Sequence, residues 1–191
     1  MTLAPEDRRE LLRLARQAMR HAVAGGQAPQ VMLYDGVLGM PRGCFVTLTR
    51  RGQLRGCIGT FSPRGPLAEM VAEMAVQACR DPRFRFNPIT PGELTHLDVE
   101  ISVLGPLEPI DDPMSIEIGT HGIYITQGMR GGCFLPEVAT DQGWGVEEFL
   151  TQCCAGKAGL APDAWKHPAT KVMVFTSEKF GEAFGAQEAA R

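Results

Sequence analysis

Between residues 5 and 23 the apolar side chains Leu11, Leu12, Ala15, Ala18, Met19, Ala22 and Val23 recur every three or four positions, the period of a helix that buries one face. Gly25 and Gly26 are expected to stop it. Pro66 can open a second helix, with Leu67, Met70, Val71, Met74, Ala75 and Ala78 on one stripe and Asp81-Pro82 at its end. A third helix is expected over 146–158, with Val146, Phe149, Leu150, Cys153 and Cys154 inward. Residues 44–49 are rich in β-formers, and after the turn at Arg51-Gly52 residues 54–58 can pair back as a hairpin. Residues 95–104 alternate strictly: Leu97, Val99, Ile101 and Val103 lie on one face, Asp98, Glu100 and Ser102 on the other. Strand pieces are expected at 115–118 and 122–126, separated by Gly119-Thr120-His121, and again at 133–135 and 171–176, with a frayed tail at 181–191. Hairpin-linked strands interrupted by about three irregularly spaced helices do not follow the βαβ rhythm of a doubly wound sheet. The pattern predicts an α+β fold with a mostly antiparallel sheet.

Composition supports one folded domain. Of 191 residues, 44% are hydrophobic and 21% charged, close to ordinary globular usage. A net charge of −3 makes nucleic acid an improbable partner, because phosphate binding needs clustered Lys and Arg. Glu6, Asp7, Arg8, Arg9 and Glu10 precede any apolar stretch, which argues against a signal peptide or a membrane span and for a cytoplasmic protein. The six cysteines, Cys44, Cys57, Cys79, Cys133, Cys153 and Cys154, show neither a C-x-x-C pair nor zinc-ribbon spacing, so no metal site is predicted. In a reducing compartment most of them are expected to fill core space as thiols.

The string Leu54-Arg55-Gly56-Cys57-Ile58-Gly59-Thr60-Phe61 (LRGCIGTF), which contains an RGCIG motif, resembles the signature of the AMMECR domain family. Further blocks agree in order: Asp81-Pro82-Arg83-Phe84, the alternating strand up to Leu104, Ile118-Gly119-Thr120-His121-Gly122-Ile123, Phe134-Leu135-Pro136-Glu137-Val138-Ala139, and Lys157-Ala158-Gly159-Leu160 with Trp165. The resemblance covers 8–180. It departs from the family at Phe86-Asn87-Pro88, and residues before Cys44 match only loosely. It implies one domain with two lobes and a cleft between them, with the RGCIG segment near the cleft. It also implies an association with a Memo-type protein and a radical S-adenosylmethionine enzyme, the AmmeMemoRadiSam system. It names no substrate, cofactor or oligomeric state.

Strand alternation would put Arg55, Cys57 and Gly59 on one face and Leu54, Gly56 and Ile58 on the other. A guanidinium beside Cys57 would favour its thiolate and make it a nucleophile. Gly56 and Gly59 would leave open backbone or supply φ > 0 around a small anion-binding hollow. The alternative is that a tight glycine-lined strand simply wants a small residue at Cys57. His121, in an expected turn, is the best general-base candidate, and Glu137 and Glu100 are candidate acid–base or orienting carboxylates. For Glu137 the competing explanation is a helix first turn behind Pro136. Asp81 and Arg83 flank Pro82, where Arg83 would either bind substrate or clamp the turn to Asp81. Two functions follow: a thiol-dependent enzyme or covalent acceptor in the radical-enzyme and Memo-linked system, or a non-catalytic module that docks one of those partners.

Overall fold

Pro5 suits the first turn of a helix because its missing N–H has no intrahelical acceptor there, while Glu6 and Asp7 at one end and Arg20 and His21 at the other complement the helix dipole. In a computed structural model of the chain, which describes residues 2–25 and 34–183, these residues bound helix α1 (Pro5–Val23). Gly25 follows with φ of 82°, as a helix terminator should; the second expected stop, Gly26, lies outside the described residues. Leu11, Leu14, Ala15, Ala18, Met19 and Ala22 form the buried stripe, while Leu12 and Val23 are only partly covered. Arg16 is buried among them and donates from Nη1 to the Leu97 carbonyl oxygen at 2.8 Å, so the buried charge is not left unpaired.

The chain forms two compact units, residues 1–104 with 178–191, and residues 105–177. In the first, β1 (Cys44–Arg50) and β2 (Gln53–Thr60) make an antiparallel hairpin. Its two turn residues, Arg51 and Gly52, both have positive φ, 51° and 76°, the geometry that matches strand twist in a two-residue hairpin. Helix α2 (Leu67–Cys79) is apolar almost all round because it is covered on both sides: by α1 and by the sheet. Strand β3 (Asp98–Leu104) pairs antiparallel with β1, and β8 (Ser177–Glu182) completes the order β2-β1-β3-β8. Val46, Leu48, Val99, Ile101 and Val103 give this unit its core together with the two helices.

The second unit orders β4 (Glu108–Pro109), β7 (Lys171–Phe175), β5 (Gly122–Gln127) and β6 (Arg130–Phe134) into an antiparallel sheet, β4-β7-β5-β6. Helices α3 (Pro136–Gln142) and α4 (Val146–Cys153) belong to it. Phe149, Leu150 and Cys153 of α4 pack with Ile123, Ile125, Val172 and Val174, and Phe134 stacks on Phe149 at 5.7 Å between ring centroids.

The α+β architecture is as expected, with several local differences. Four α-helices are present among the described residues, α3 being short. The third expected helix is α only to Cys153; residues Cys154–Ala158 make one π-helical turn that ends at Gly159, φ 64°. Strand β3 begins at Asp98, because Pro91–His96 is a 3-10 turn that uses up the preceding segment. Residues 115–118 form no strand: Asp112 caps a 3-10 turn, Pro113–Ser115, by accepting from the Met114 N–H at 2.9 Å. Gly181 and Glu182, expected in a frayed tail, end strand β8 instead.

Candidate functional site

The geometry around Cys57 starts from an irregularity in β2. Leu48 pairs with Gly56 but Thr49 pairs with Leu54, so Arg55 is the extra residue of a β-bulge. A bulge breaks the two-residue alternation, so Arg55 does not share a face with Cys57, contrary to the strict alternation expected from the sequence. Instead Arg55 is buried and forms a two-pronged pair with Glu93, Nε to Oε1 at 2.6 Å and Nη2 to Oε2 at 3.1 Å. Its Nη2 also donates to the Asn87 carbonyl at 3.1 Å, and its guanidinium lies over the Phe84 ring, 5.5 Å from the centroid. The Arg55 guanidinium in turn holds the Glu93 carboxyl below its ordinary range. Its charge is therefore satisfied by Glu93 instead of lying beside Cys57 as expected, and a different cation hydrogen-bonds the Cys57 main chain.

That cation is Arg83. Asp81, at the N-cap of the short turn Pro82–Phe84, is 2% exposed, and its carboxylate gathers several donors. It accepts from the Cys57 N–H at 3.0 Å, from the Arg83 N–H at 3.0 Å, and from the Arg83 guanidinium at 3.0 Å (Nε) and 2.5 Å (Nη2). The Arg83 guanidinium is the chief cause that pulls the Asp81 pKa down to about 2, with the two backbone N–H groups adding to it and burial opposing. Arg83 then donates from Nη2 to the Cys57 carbonyl oxygen at 3.0 Å. Its own pKa is raised, chiefly by the hydrogen-bonded Asp81 carboxylate. Strand β2 is the sheet edge, so Asp81 and Arg83 together cover the outward N–H and C=O of Cys57 and block strand addition at that residue.

Thr47 lies directly opposite Cys57 on one side and Glu100 on the other, so the three form a row across β2, β1 and β3, on the face away from Val46 and Leu48. Thr47 Oγ1 is 3.2 Å from Cys57 Sγ. Glu100 is paired at 2.9 Å with Lys179 of β8, which extends the polar row to the far strand. Cys57 and Glu100, singled out separately in the sequence, thus flank one threonine.

Neither Gly56 nor Gly59 has positive φ, so of the two roles the sequence left open that one does not apply. A Cβ on Gly56 would meet the Ala78 carbonyl oxygen of α2 at 2.1 Å, so the strand needs glycine because the helix end approaches its backbone. A Cβ on Gly59 would meet the Phe45 ring at 2.2 Å: the ring of the opposite residue lies over the glycine.

His121 and Glu137 belong to the second unit. His121 closes a turn: its N–H donates to the Glu117 carbonyl at 2.9 Å and its Nδ1 accepts from the Glu117 N–H at 3.2 Å. Glu137 is in the first turn of α3, where a carboxylate complements the dipole, and its carbonyl accepts from the Thr140 hydroxyl at 2.7 Å. Burial pushes the thiols of Cys44 and Cys79 up to about 12 and those of Cys153 and Cys154 upward as well, which marks these four as poor nucleophiles. Among the described residues, no group of three or more His, Cys, Asp or Glu side chains could hold a metal ion, and no helix is long and apolar enough to cross a membrane. Thr47, Glu93 and Lys179 escaped the sequence reading. Only strand register and a returning loop bring them into place, and neither leaves a motif.

Comparison with known proteins places these features in a wider set. The AMMECR1 family profile matches residues 12–180. A protein of Methanothermobacter thermautotrophicus is 40% identical over 94% of this chain and 96% of its own length. One from Thermococcus gammatolerans is 42% identical over 91% of this chain and 89% of its own. The crystal structure of an uncharacterized protein from Pyrococcus horikoshii is similar, with a TM-score of 0.82 and 38% identity, over 91% of this chain and 90% of that one.

Proposed function

The chain belongs to the AMMECR1 family, and we propose that it works as a thiol-dependent enzyme or covalent acceptor with Cys57 as the nucleophile. The observation that carries this reading is the Arg83 guanidinium, which buried Asp81 holds on the Cys57 carbonyl oxygen. A fixed cation next to a cysteine lowers the free energy of the thiolate, the form that attacks. In the step proposed, the thiol gives up its proton to solvent, the thiolate forms a bond to an electrophilic carbon, and the leaving group departs with the electron pair of the broken carbon bond. Thr47 steers the sulfur, and the Glu100–Lys179 pair offers polar partners to the substrate across the row. In this reading the protein is cytoplasmic with its thiols reduced, and the electrophile comes from a modification system that includes a Memo-type protein and a radical S-adenosylmethionine enzyme, as the family resemblance implies.

The test is alkylation by limiting iodoacetamide between pH 5 and 9, with each cysteine followed by peptide mass spectrometry. Cys57 is expected to react first, and Arg83→Gln to slow it. If Cys57 reacts no faster than Cys79 or Cys133 throughout that range, the reading is abandoned.

One observation favours a docking function instead. Phe86, in the segment where the chain departs from its family, is 88% exposed, with the Arg85 guanidinium over its ring at 4.6 Å. In that reading the loop docks the Memo-type or radical-enzyme partner, and co-purification survives Cys57→Ala but is lost on Phe86→Ala.

A further inference from the structure

Beyond the Cys57 face, the turn end of the β1–β2 hairpin carries a cavity of about 360 Å³ lined by Arg50, Arg51, Gln53, Arg55, Asn87 and Glu93. Three arginines and one glutamate line it, and the glutamate carboxylate is taken up by Arg55 in the two-pronged pair. Arg50 stands 3.9 Å from Glu93 and is 44% exposed at its side chain, so it shares little of that charge. No ion pair to Arg51 occurs among the described residues. The lining is thus hydrophilic throughout with two cationic side chains in excess, while the chain as a whole has net charge −3.

The turn supplies an independent observation. Among the described residues Arg51 is the only non-glycine with positive φ, 51°. That first position of a two-residue hairpin turn ordinarily takes Asn, Asp or Gly, which tolerate the left-handed region at less cost than a long side chain. The turn accounts for the positive φ but not for an arginine there, and a strained residue at the rim of a cavity is grounds for inferring a role for its side chain.

We propose that this cavity binds the phosphate group of a small phosphate monoester, with Arg50 and Arg51 as its principal ligands. Guanidinium forks match phosphate oxygens in geometry and charge. The Arg55–Glu93 pair forms a neutral floor that fixes the cavity wall, and Gln53 and Asn87 offer amide contacts. The volume exceeds what a bare phosphate fills, so the ester's organic part has room. This site does not depend on the reactivity of Cys57, and the bulge at Arg55 turns the wall residue away from the Cys57 face.

The test is calorimetric titration of the full chain at low ionic strength with inorganic phosphate and with phenyl phosphate. Both probes are expected to saturate one site, phenyl phosphate more tightly. Arg51→Gly is expected to weaken binding about 10- to 100-fold, the loss of one charge-assisted contact, while its Tm stays the same or rises as the backbone strain is relieved. Arg50→Gln should weaken binding comparably, and Arg9→Gln, on the exposed side of α1, should not. Absence of saturable binding of both probes to the wild-type chain overturns the proposal. So does binding that Arg51→Gly and Arg50→Gln leave unchanged. Neither result bears on the alkylation of Cys57.

Discussion

Replacing Gly56 by alanine tests how the Cys57 strand is held. The added Cβ would sit 2.1 Å from the Ala78 carbonyl oxygen and 3.0 Å from its carbon, both backbone atoms of the last turn of α2. To reach ordinary contact the strand and the helix end must separate by about 1 Å or more, and no side-chain rotation can relieve the clash. Overpacking of this kind costs about 1–3 kcal/mol, and a clash against backbone belongs at the upper end of that range. For a chain of this size the loss corresponds to a fall in Tm of roughly 4–12 °C. The same carbonyl accepts from the Asp81 N–H at 3.4 Å, so the displacement passes directly to the carboxylate that holds Cys57. The assay is differential scanning calorimetry, with urea unfolding to check that the m-value is unchanged. Two controls bracket it. Gly92→Ala adds a Cβ into open space at an ordinary φ and should be neutral or slightly stabilising, and Cys57→Ser keeps size and backbone and should melt like the wild type. A Gly56→Ala protein that melts within a degree or two of wild type would refute the close-approach argument.

Two further substitutions probe the ion pairs on either side of Cys57. Because the folded-state pKa of Asp81 is depressed to about 2, its contribution is complete above the ordinary carboxylate range and is lost as pH falls from about 4 towards 2. With the Arg83 side chain 56% exposed, that contribution is on the order of 1–2 kcal/mol after allowance for solvent screening. Urea unfolding at pH 6 and pH 2.5 should therefore show wild type losing more stability than Asp81→Asn; parallel losses would contradict the clamp. Glu93→Ala strands the buried Arg55 charge and should cost about 3 kcal/mol, most of it recovered in a double-mutant cycle with Arg55→Ala. A coupling near zero would mean that the pair is solvated.

Local periodicity determined much about this protein. The stripes of α1 and α2, the alternation of β3 and the Arg51-Gly52 hairpin are written in neighbouring residues, because a helix or strand buries one face by its own repeat and needs no knowledge of what covers it. Strand β8 was illegible for the same reason: in Ser-Glu-Lys-Phe-Gly-Glu only Phe180 is a large apolar residue, and its place at the sheet edge comes from pairing with β3 rather than from a pattern. At the candidate site, the glycine-flanked Cys57 was conspicuous as a string, but its surroundings were decided in three dimensions. A single extra residue at Arg55 reverses which face every preceding side chain of β2 occupies, and a bulge depends on the register with Leu48 and Thr49. Arg83 reaches Cys57 because the turn after α2 returns to the outer edge of β2, and register puts Thr47 beside Cys57 and Glu100 one strand further along the same row. Gly56 looked like a turn or ligand glycine, yet what requires it is the Ala78 carbonyl of a helix 22 residues further along the chain. Short-range order follows from the sequence's own spacing. Which charge is held against Cys57 follows only from contacts between elements distant in the chain.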